Sequence, residues 1–366
     1  MGGLHRTVPR GSPGTGVPGR DTVGSHVRDQ VLRWSVQLAG HRPRVVFADG
    51  DDPRVVAAAG WLAENTSVRP TLLTRGPDVD GALEGAGDGV DRWSMARLAG
   101  DPEVRDALRL RANGVRRDPA EADGLAEDPV YASAALVACG RADAAVAGAT
   151  RPTGHVIRAG ISVIGLSPGV STISSSFVLV LQDGRRLAYG DCAVLPAPDE
   201  EQLAQVAVAT ARTFRELVDE DPVVAMLSFS TMGSAEHPEV DTVRAATRLA
   251  RALEPDLCID GELQFDAALL ESVGSSKAAG SPVAGRANVL VFPNLSAGNI
   301  GYKITERLAG AAAIGPVLQG LAAPMNDLSR GCSDRDAIAV ALLSAVQAVH
   351  ADRAAGLRVA QPATAG

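Results

Sequence analysis

The sequence predicts an α/β fold built on parallel strands, from the order of its short elements. Residues 44–50 have the apolar pattern of a buried strand that ends in a turn, residues 55–62 have helical spacing, and residues 70–74 again resemble a strand. A strand, a helix and a second strand at this spacing are typical of right-handed βαβ units. The apolar run 289–292, which Pro293 ends, predicts another buried strand of the same kind.

Later segments continue the alternation of helices with short strands. Residues 183–186 predict the turn of a β-hairpin, which introduces antiparallel strands. Residues 75–100 are rich in Gly and Asp and are expected to be irregular. The remaining expected elements are helices over 29–39, 128–140, 200–217, 240–253 and 337–349, and strands over 142–147, 177–181 and 223–229.

The composition is that of an acidic protein with ample material for a hydrophobic core. The chain has 366 residues, of which 46% are hydrophobic and 21% charged, and its formal net charge is −8. This length is typical of two ordinary domains or of one large unit. The negative balance excludes a general attraction to nucleic acid or to anionic membranes, so an anionic substrate would have to be held by local arginines.

No targeting, membrane or metal signal stands out in the sequence. Residues 1–24 lack an apolar run and predict a disordered N-terminal extension, while residues 356–366 predict a loose tail. No apolar run approaches the ~20 residues that cross a bilayer, so a cytoplasmic protein is expected. The four cysteines are too widely spaced to indicate a disulfide framework or a zinc site: Cys139, Cys192, Cys258 and Cys332.

The loop of residues 324–336 is the first candidate reaction centre. It places a hydroxyl, a guanidinium and a carboxylate, from Ser329, Arg330 and Asp336, between two apolar stretches. The same loop has the pattern of a helix start, because Ser333 precedes Asp336 by three residues, as in a capping box with Asp in place of Glu or Gln. The residues alone leave both interpretations open.

A second candidate binding segment follows a predicted strand. Residues 148–154 form a loop of small residues that includes Thr150, and such loops let backbone amides approach phosphate. The next helix carries Arg158. Arg109 and Arg111 lie in a basic segment that is equally typical of a solvated helix face. The chain has no phosphate-loop, dinucleotide-binding, zincin or nucleophile-elbow motif.

Several longer motifs resemble those of the phosphate acetyltransferase family, which includes the phosphate butyryltransferases. They follow one another in the family's order, over residues 260–264, 288–295, 298–303, 315–320 and 326–331. The resemblance covers residues 43–350 and is strongest from Gly169 onward. It is specific because several long motifs occur in order, although no single short pattern carries it.

The resemblance implies two α/β domains with a central cleft, an architecture similar to that of isocitrate and isopropylmalate dehydrogenases. Residues 25–168 together with 320–355 would form the first domain, and residues 169–319 would form the second, which would carry the dimer contacts. A homodimer is therefore expected. The implied chemistry requires neither a metal nor a redox cofactor.

The resemblance also implies a reversible reaction, in which acetyl-CoA and phosphate give CoA and acetyl phosphate. Starting from acetyl phosphate, the CoA thiolate would attack the carbonyl directly in a ternary complex. Asp336 is expected to remove the thiol proton, Ser329 to hydrogen-bond the reacting atoms, and Arg330 to grip the acyl phosphate. The residues expected to bind the substrates or CoA are Arg158, Arg109 or Arg111, Thr150 and Asn326.

Three alternatives accompany this hypothesis. Cys332 lies three residues from Ser329 and would form an acyl-enzyme in a mechanism without direct attack. A longer acyl group, such as propionyl or butyryl, would use the same chemistry. A catalytically silent protein that binds CoA or acyl phosphate is the third, because Phe47-Ala-Asp-Gly replaces the family's usual Pro-Glu-Gly and Asn113-Gly114 replaces its Lys-Gly pair.

Overall fold

The computed structural model describes residues 20–76, 89–110 and 112–360, in which helices pack on two β-sheets. The strands are β1 (Arg44–Phe47), β2 (Arg69–Thr74), β3 (Asp91–Ser94), β4 (Ala144–Ala147), β5 (Ser174–Val180), β6 (Arg186–Gly190), β7 (Val223–Leu227), β8 (Cys258–Leu263), β9 (Val289–Val291), β10 (Ala312–Gln319) and β11 (Met325–Asp327). The helices are α1 (Arg20–Gln37), α2 (Pro53–Asn65), α3 (Met95–Gly100), α4 (Pro102–Arg109), α5 (Pro119–Ala126), α6 (Pro129–Ala138), α7 (Thr153–Ala159), α8 (Glu200–Val218), α9 (Pro238–Leu253), α10 (Phe265–Leu269), α11 (Glu271–Lys277), α12 (Leu295–Leu308) and α13 (Asp334–Ala360). A π-helical turn, Gly160–Ile164, directly follows α7.

Five strands form an all-parallel sheet in the order β11-β4-β1-β2-β3. The predicted βαβ unit is confirmed, since α2 connects β1 to β2 and the two strands pair in parallel, with Val46 opposite Thr71. Helix α2 begins at Pro53, behind Asp52, whose side chain accepts a hydrogen bond from the Arg54 amide at 2.9 Å. A capping Asp followed by Pro is a typical helix start. It places Asp52 and Arg54 beyond the carboxyl end of β1.

The second sheet has six strands in the order β10-β5-β6-β9-β7-β8 and mixes both directions. β5 and β6 form the predicted antiparallel hairpin, and β10 adds antiparallel to β5. β9, predicted from its apolar run, lies parallel between β6 and β7. All its residues are buried, as expected for a central parallel strand. The prediction of an α/β fold built on parallel strands is therefore confirmed.

One hydrophobic core connects the two sheets through helices α8 and α13. It includes Phe47 of β1, Val178 of β5, Phe214 of α8 and Val346 of α13, each of which is 1% exposed or less. Burying one such side chain contributes about 1.5–3 kcal/mol. Helix α1 is fastened to this core by Trp34, whose indole N–H donates to a carbonyl in the last turn of α8 at 2.7 Å.

The segment 75–100, which was expected to be irregular, contains a strand and a helix. β3 pairs in parallel with β2, and Ser94 then caps α3 through a hydrogen bond to the Arg97 amide. β3 is an edge strand with Asp, Arg and Ser among its residues, so it lacks the apolar pattern that reveals a buried strand. Residues 77–88 of this segment lie outside the described residues.

Both described ends of the chain are more helical than the sequence predicts. Helix α1 begins at Arg20, inside the predicted extension of residues 1–24. Helix α13 continues to Ala360, inside the predicted tail of residues 356–366, because Ala, Leu and Arg are strong helix formers. The remaining parts of both predicted segments, 1–19 and 361–366, lie outside the described residues.

The described part of the chain contains no helix with the length and apolar character needed to cross a membrane. Nor do three or more His, Cys, Asp or Glu side chains within it come together in an arrangement that could hold a metal ion. Each cysteine is a free thiol: Cys139, Cys192, Cys258 and Cys332.

Candidate active site

Three polar loops meet at the carboxyl edge of the five-stranded sheet. They follow β1, β4 and β11, which lie side by side in the order β11-β4-β1. The loop after β11 carries Ser329 and Arg330, the loop after β4 covers residues 148–152, and the loop after β1 covers residues 48–52. Open parallel sheets bind their ligands in the crevice at this edge.

The loop after β4 is held by a carboxylate from the loop after β1. The backbone amides of Gly148, Ala149 and Thr150 donate to the Asp49 carboxylate at 2.9, 3.0 and 3.2 Å, and the Thr150 hydroxyl donates to it as well. These are the amides that the sequence predicted would approach phosphate. They do form an anion-binding arrangement, but the anion is the protein's own carboxylate. Thr150, expected to bind substrate, instead braces the loop through Asp49.

Arg54, a residue that sequence reasoning missed, joins all three loops. Its Nη1 donates to the carbonyl oxygens of Arg330 and Cys332, both at 2.9 Å, and its Nη2 donates to the carbonyl oxygen of Ala149 at 3.1 Å. Asp52 orients the guanidinium through Nε and Nη2, at 2.9 and 2.7 Å. The bond to Arg54 in turn lowers the pKa of the Asp52 carboxyl. A planar guanidinium can make these divergent bonds, whereas an ammonium cannot.

Arg330 and Arg158 are among the arginines at this edge whose side chains have no partner in the described part of the chain. Arg330 follows Ser329 in a tight turn, in which the Cys332 amide donates to the Ser329 carbonyl oxygen at 2.9 Å. The guanidinium groups of Arg330 and of Arg158 on α7 are exposed, and neither forms an ion pair or hydrogen bond with any residue that the structure describes. Unpaired guanidinium groups are available to bind anions.

Asp336 takes part in the capping box that the sequence left as one of two interpretations. The backbone N–H and the hydroxyl of Ser333 donate to Asp336 Oδ2 at 2.8 and 2.9 Å, and the Asp336 amide donates to Ser333 Oγ at 3.2 Å. Oδ1 of this exposed carboxylate has no hydrogen bond to the described residues. One oxygen therefore caps α13, while the other stays available to solvent or a ligand.

The chain as a whole matches proteins of one family. Residues 30–345 match the family described as phosphate acetyl/butaryl transferase. A phosphate acetyltransferase from Thermoanaerobacterium thermosaccharolyticum is 42% identical over 318 residues, which cover 84% of this chain and 96% of that protein. The chain belongs to the phosphate acetyl/butaryl transferase family. The family resemblance inferred from the motifs is confirmed.

Further members of the family agree with this assignment. A phosphate acetyltransferase from Paracoccus denitrificans is 42% identical over 317 residues, or 83% of this chain and 94% of that protein. The crystal structure of a phosphotransacetylase from Streptococcus pyogenes is 38% identical and superposes with a TM-score of 0.81, covering 88% of this chain and 99% of that one. The two-sheet fold is thus shared with a solved structure over almost that protein's whole length.

Cys332, the alternative nucleophile, lies in an unfavourable setting for an acyl-enzyme. The residue is 7% exposed, and burial raises the pKa of its thiol, with the charge of Asp336 adding to the rise. Arg54 acts in the opposite direction but does not reverse the shift. A buried thiol with a raised pKa holds little thiolate, which is the nucleophilic form.

Asn326, expected to bind substrate, faces the interior of the protein. Its Oδ1 accepts from the Leu318 amide at 2.8 Å, and its Nδ2 donates to Ser344 Oγ at 2.8 Å and to Gln347 Oε1 at 2.7 Å. The residue is fully buried. These bonds join β11 to β10 and α13, so the structure does not bring the Asn326 side chain to the crevice. Successive residues of a strand point to opposite faces, and Asn326 takes the face opposite Asp327.

The arginine segment near α4 is anchored by a residue that the sequence did not single out. Arg109 lies on the surface of α4, where its Nη1 is 3.1 Å from Asp106 Oδ1. Such exposed pairs contribute little and leave the guanidinium free to change partners. The Arg117 guanidinium is buried and donates to the carbonyl oxygens of Leu108 and, at 2.8 Å, of Ser162 in the π-helical turn. It holds this segment against the helix of Arg158.

Arg111 lies outside the described residues, so the choice between Arg109 and Arg111 stays open. A further polar group at the edge is Asp327, the last residue of β11. It is 1% exposed, and the Thr153 hydroxyl of α7 donates to its Oδ2 at 2.5 Å. Burial raises the pKa of this carboxyl to about 7, and the nearby Asp49 adds to the rise. No pattern in the sequence distinguishes such a buried acid from an exposed one.

Proposed function

We propose that the protein is a phosphate acetyltransferase, which converts acetyl-CoA and phosphate into CoA and acetyl phosphate, and the reverse. The observation that carries the proposal is the 42% identity to a phosphate acetyltransferase over 96% of that protein's length. The unpaired guanidinium groups of Arg330 and Arg158 support it, because CoA, phosphate and acetyl phosphate are all anions. A chain with a net charge of −8 must hold them locally.

The proposed chemistry is direct transfer in a ternary complex. In the direction from acetyl phosphate, Asp336 accepts the thiol proton of CoA, and the thiolate forms a new S–C bond to the carbonyl carbon. The C–O bond to phosphate then breaks, and phosphate leaves with the electron pair. Ser329 donates a hydrogen bond to the carbonyl oxygen, which gains negative charge during the attack, and the Arg330 guanidinium binds the phosphate group. The reaction balances without a metal or a redox cofactor.

Asp336 is proposed to act more by its position than by its basicity. Its Oδ2 accepts two hydrogen bonds from Ser333, and it lies in the first turn of α13, whose N-terminus favours negative charge. A carboxylate is a weak base for a thiol, whose pKa is about 8.5. A base held within reach of the proton can offset that disadvantage, because fixed geometry removes the entropic cost of encounter.

The substrate-binding arginines are proposed to be Arg158 and either Arg109 or Arg111. Their positions after β4 and near α4 would let them hold phosphate groups of CoA or of the acyl phosphate. Thr150 and Asn326 are proposed to support this site indirectly, through Asp49 and through α13 respectively.

We propose that each sheet belongs to its own α/β domain and that a cleft separates the two, as in isocitrate and isopropylmalate dehydrogenases. Residues 25–168 and 320–355 would form the first domain, and residues 169–319 the second. The distribution of strands supports this division, because the five-stranded sheet contains β1–β4 and β11, and the six-stranded sheet contains β5–β10. The three polar loops would then line the first domain's side of the cleft.

A cytoplasmic homodimer is the proposed assembly. Helix α12 supports it with a stripe of Ile300, Ile304 and Leu308, whose exposed fractions are 58%, 52% and 84%. Residues four apart lie on one face of a helix, so the three form a continuous apolar surface. A second copy of the chain would cover this surface. Light scattering coupled to size-exclusion chromatography should give twice the mass of the 37.6 kDa chain.

The decisive test is phosphate-dependent release of CoA from acetyl-CoA, with propionyl-CoA and butyryl-CoA measured alongside. We expect turnover to require phosphate and to be fastest with acetyl-CoA. A faster reaction with a longer acyl-CoA would replace the acetyl group in the proposal but keep the chemistry. CoA binding without turnover of any of the three would instead indicate the silent binding protein.

Asp336→Asn tests the base. We expect kcat to fall about 10²–10⁴-fold, the usual range for a general base, while the KM values stay within about threefold. Loss of the charged cap should also cost about 1 kcal/mol of unfolding free energy. Asp334→Asn is the matched control, since Asp334 is another exposed acid in the first turn of α13. Equal losses of kcat in the two variants would contradict a specific role for Asp336.

A further inference from the structure

The Asp327 carboxyl group lies where the three loops of the carboxyl edge converge. Asp327 ends β11, two residues before Ser329. Its Oδ2 accepts from the Thr153 hydroxyl at the start of α7, and its Oδ1 faces the backbone of Gly148 after β4. The packing at Gly148 is so close that a Cβ atom there would clash with Oδ1. A larger side chain at position 148 therefore does not fit between these elements.

This carboxyl group has too few hydrogen bonds for a buried anion. An ionised carboxylate has about four acceptor positions, yet Oδ1 is buried without a partner among the described residues. The amides that could have satisfied it, after β4, donate to Asp49 instead. A buried charge without partners is costly, whereas a neutral acid still accepts the hydrogen bond from Thr153 and has no charge to solvate.

The charged groups around Asp327 also favour its neutral, protonated form. Asp49, from the loop after β1, is the charged residue whose field acts on it, and its negative charge raises the pKa of Asp327 further. Helix α7 contributes the neutral Thr153, whose donated hydrogen bond lowers the pKa of Asp327 but does not offset burial, and the loop after β4 contributes the backbone of Gly148. The cation nearby, Arg54, interacts with Asp49 and Asp52. Ionising Asp327 would therefore place a second, unpaired anion next to Asp49.

We propose that Asp327 is a positioning residue that works as a neutral acid, joining the strand that leads to Ser329 and Arg330 to the helix that carries Arg158. In this state the Asp327–Thr153 hydrogen bond fixes the two substrate-binding elements relative to each other. When Asp327 ionises, repulsion by Asp49 and the demand for solvent separate the end of β11 from α7. The catalytic readouts rest on the proposed acyltransfer reaction, whereas the protonation state can be measured without it.

The experiment compares Asp327→Asn, Asp327→Ala and the wild type, with Asp256→Asn as an exposed control. Asn keeps the shape of the neutral acid and cannot ionise, whereas Ala removes the bond to Thr153. With acetyl phosphate and CoA at pH 6.5, we expect Asn to retain kcat within about threefold and Ala to lose kcat at least about tenfold. A folded Asn variant that is as slow as the Ala variant would overturn the proposal.

The pH profile separates positioning from simple packing. Above the Asp327 pKa of about 7, kcat/KM of the wild type should fall relative to Asp327→Asn, by up to about tenfold per pH unit, the limit for loss of one proton. Ionisation of CoA and of the other site residues affects both proteins alike, so it cancels in the ratio. A ratio that stays flat from pH 6 to pH 8.5 would contradict the proposal.

Urea unfolding between pH 4 and pH 8.5 shows whether Asp327 binds a proton in the folded state, and it needs no enzymatic assay. The folded-state pKa of Asp327 lies above the model-peptide value of 3.8, so the folded state binds the extra proton between these values and wild-type stability declines as the pH rises through them. The urea midpoint of Asp327→Asn should therefore rise relative to that of the wild type from about pH 4 to pH 7, and the difference should stay constant at higher pH. A constant difference above pH 5 would show that Asp327 is ionised and would overturn the proposal. If the midpoint difference rises with pH but the protein shows no turnover, the result refutes only the proposed acyltransfer reaction.

Discussion

Each sheet buries a carboxyl group near the carboxyl end of a parallel strand, Glu262 and Asp327, and the pKa values of these two groups are shifted in opposite directions. Glu262 in β8 is 2% exposed and Asp327 in β11 is 1% exposed. Burial raises the pKa of both. In Glu262 the ion pair with Arg244 and the hydrogen bonds from Gly233 and Ser230 outweigh it and hold the pKa at about 2. In Asp327 the single bond from a hydroxyl does not, and the pKa is about 7.

The difference shows that partners, not burial, decide whether a buried carboxyl is charged. The two regions also differ in whether these arginines have acidic partners. Beside β8, Arg244 pairs with Glu262 at 2.8 Å, and its neighbour Arg251 pairs with Asp260. At the edge of the five-stranded sheet, Arg330 has no acidic partner among the described residues. The pairing of Arg244 with Glu262 stabilises the fold, whereas Arg330 is left for a ligand.

Among the three substitutions that test this comparison, Arg330→Gln should give the largest functional effect. The change removes the guanidinium and its charge but keeps part of the aliphatic stem and some hydrogen bonding, and the Arg330 side chain has no bond to the described residues that would be lost. We expect kcat/KM for acetyl phosphate to fall about 100- to 1,000-fold, or about 3–4 kcal/mol, with an unchanged urea midpoint. Arg335→Gln, at an exposed position in the first turn of α13, is the control and should change kcat/KM by less than about threefold.

A loss of stability in Arg330→Gln comparable to the loss of activity would contradict the difference drawn between Arg244 and Arg330, because it would show that Arg330 also stabilises the fold. A variant that keeps wild-type kcat/KM would remove Arg330 from the proposed mechanism and leave Arg158 as the main phosphate-binding candidate.

Glu262→Gln should have the converse effect on the other region. The variant leaves the Arg244 guanidinium without its buried partner, at a cost of about 3 kcal/mol in unfolding free energy, with kcat unchanged in the protein that stays folded. Glu254→Gln is the control, because the exposed Arg212–Glu254 pair, 3.4 Å apart, is worth ~0–1 kcal/mol. Urea unfolding at pH 7 compares the two variants with the wild type.

The pH dependence of this loss has a definite sign. The folded-state pKa of Glu262 lies below its ordinary value of 4.5, so its stabilising charge is fully present above pH 4.5 and is lost as the pH falls towards 2. The difference between wild type and Glu262→Gln should therefore shrink between pH 5 and pH 3. A difference that grows in acid would mean that Glu262 is buried as a neutral group, the state proposed for Asp327.

The parts of this molecule that follow a repeating pattern were predictable from the sequence, and the parts that depend on one contact were not. The buried strand at 289–292 and the hairpin turn at 183–186 were predicted because apolar runs and turn residues mark them. β3 was missed because an edge strand with polar residues carries no such mark. Asn326 and Asp327 are neighbours in the same motif, and only the pleat of β11 decides which one faces α13 and which one faces the loops.

The candidate site divides in the same way. The capping box of Ser333 and Asp336 was visible from the spacing of two residues. The role of the loop after β4 was not, because any anion fills an amide nest, and only the fold shows that Asp49 does so. Arg54 was missed for the same reason. Its neighbours Asp52 and Pro53 predict a helix start, but nothing local indicates that its guanidinium reaches a loop 276 residues away.

Arg54→Lys gives the smallest of the three effects and tests whether the edge needs its three loops held together. A lysine keeps the charge and the salt bridge to Asp52, but its compact ammonium cannot reach the carbonyl oxygens of Arg330, Cys332 and Ala149 at once. We expect kcat to fall about 10- to 100-fold, since small displacements of a catalytic loop have this cost, while the urea midpoint changes little.

The matched control for Arg54→Lys is Arg69→Lys, the same change at an exposed residue at the start of β2, which should leave kcat and KM within about twofold. The ratio of the two kinetic constants identifies the role of Arg54. A rise in the KM for CoA with unchanged kcat would mean that Arg54 binds CoA itself. A fall in kcat with unchanged KM would mean that Arg54 positions Ser329 and Arg330 without touching the substrate. In that case Arg330, which has no acidic partner among the described residues, depends for its position on Arg54, which is paired with Asp52.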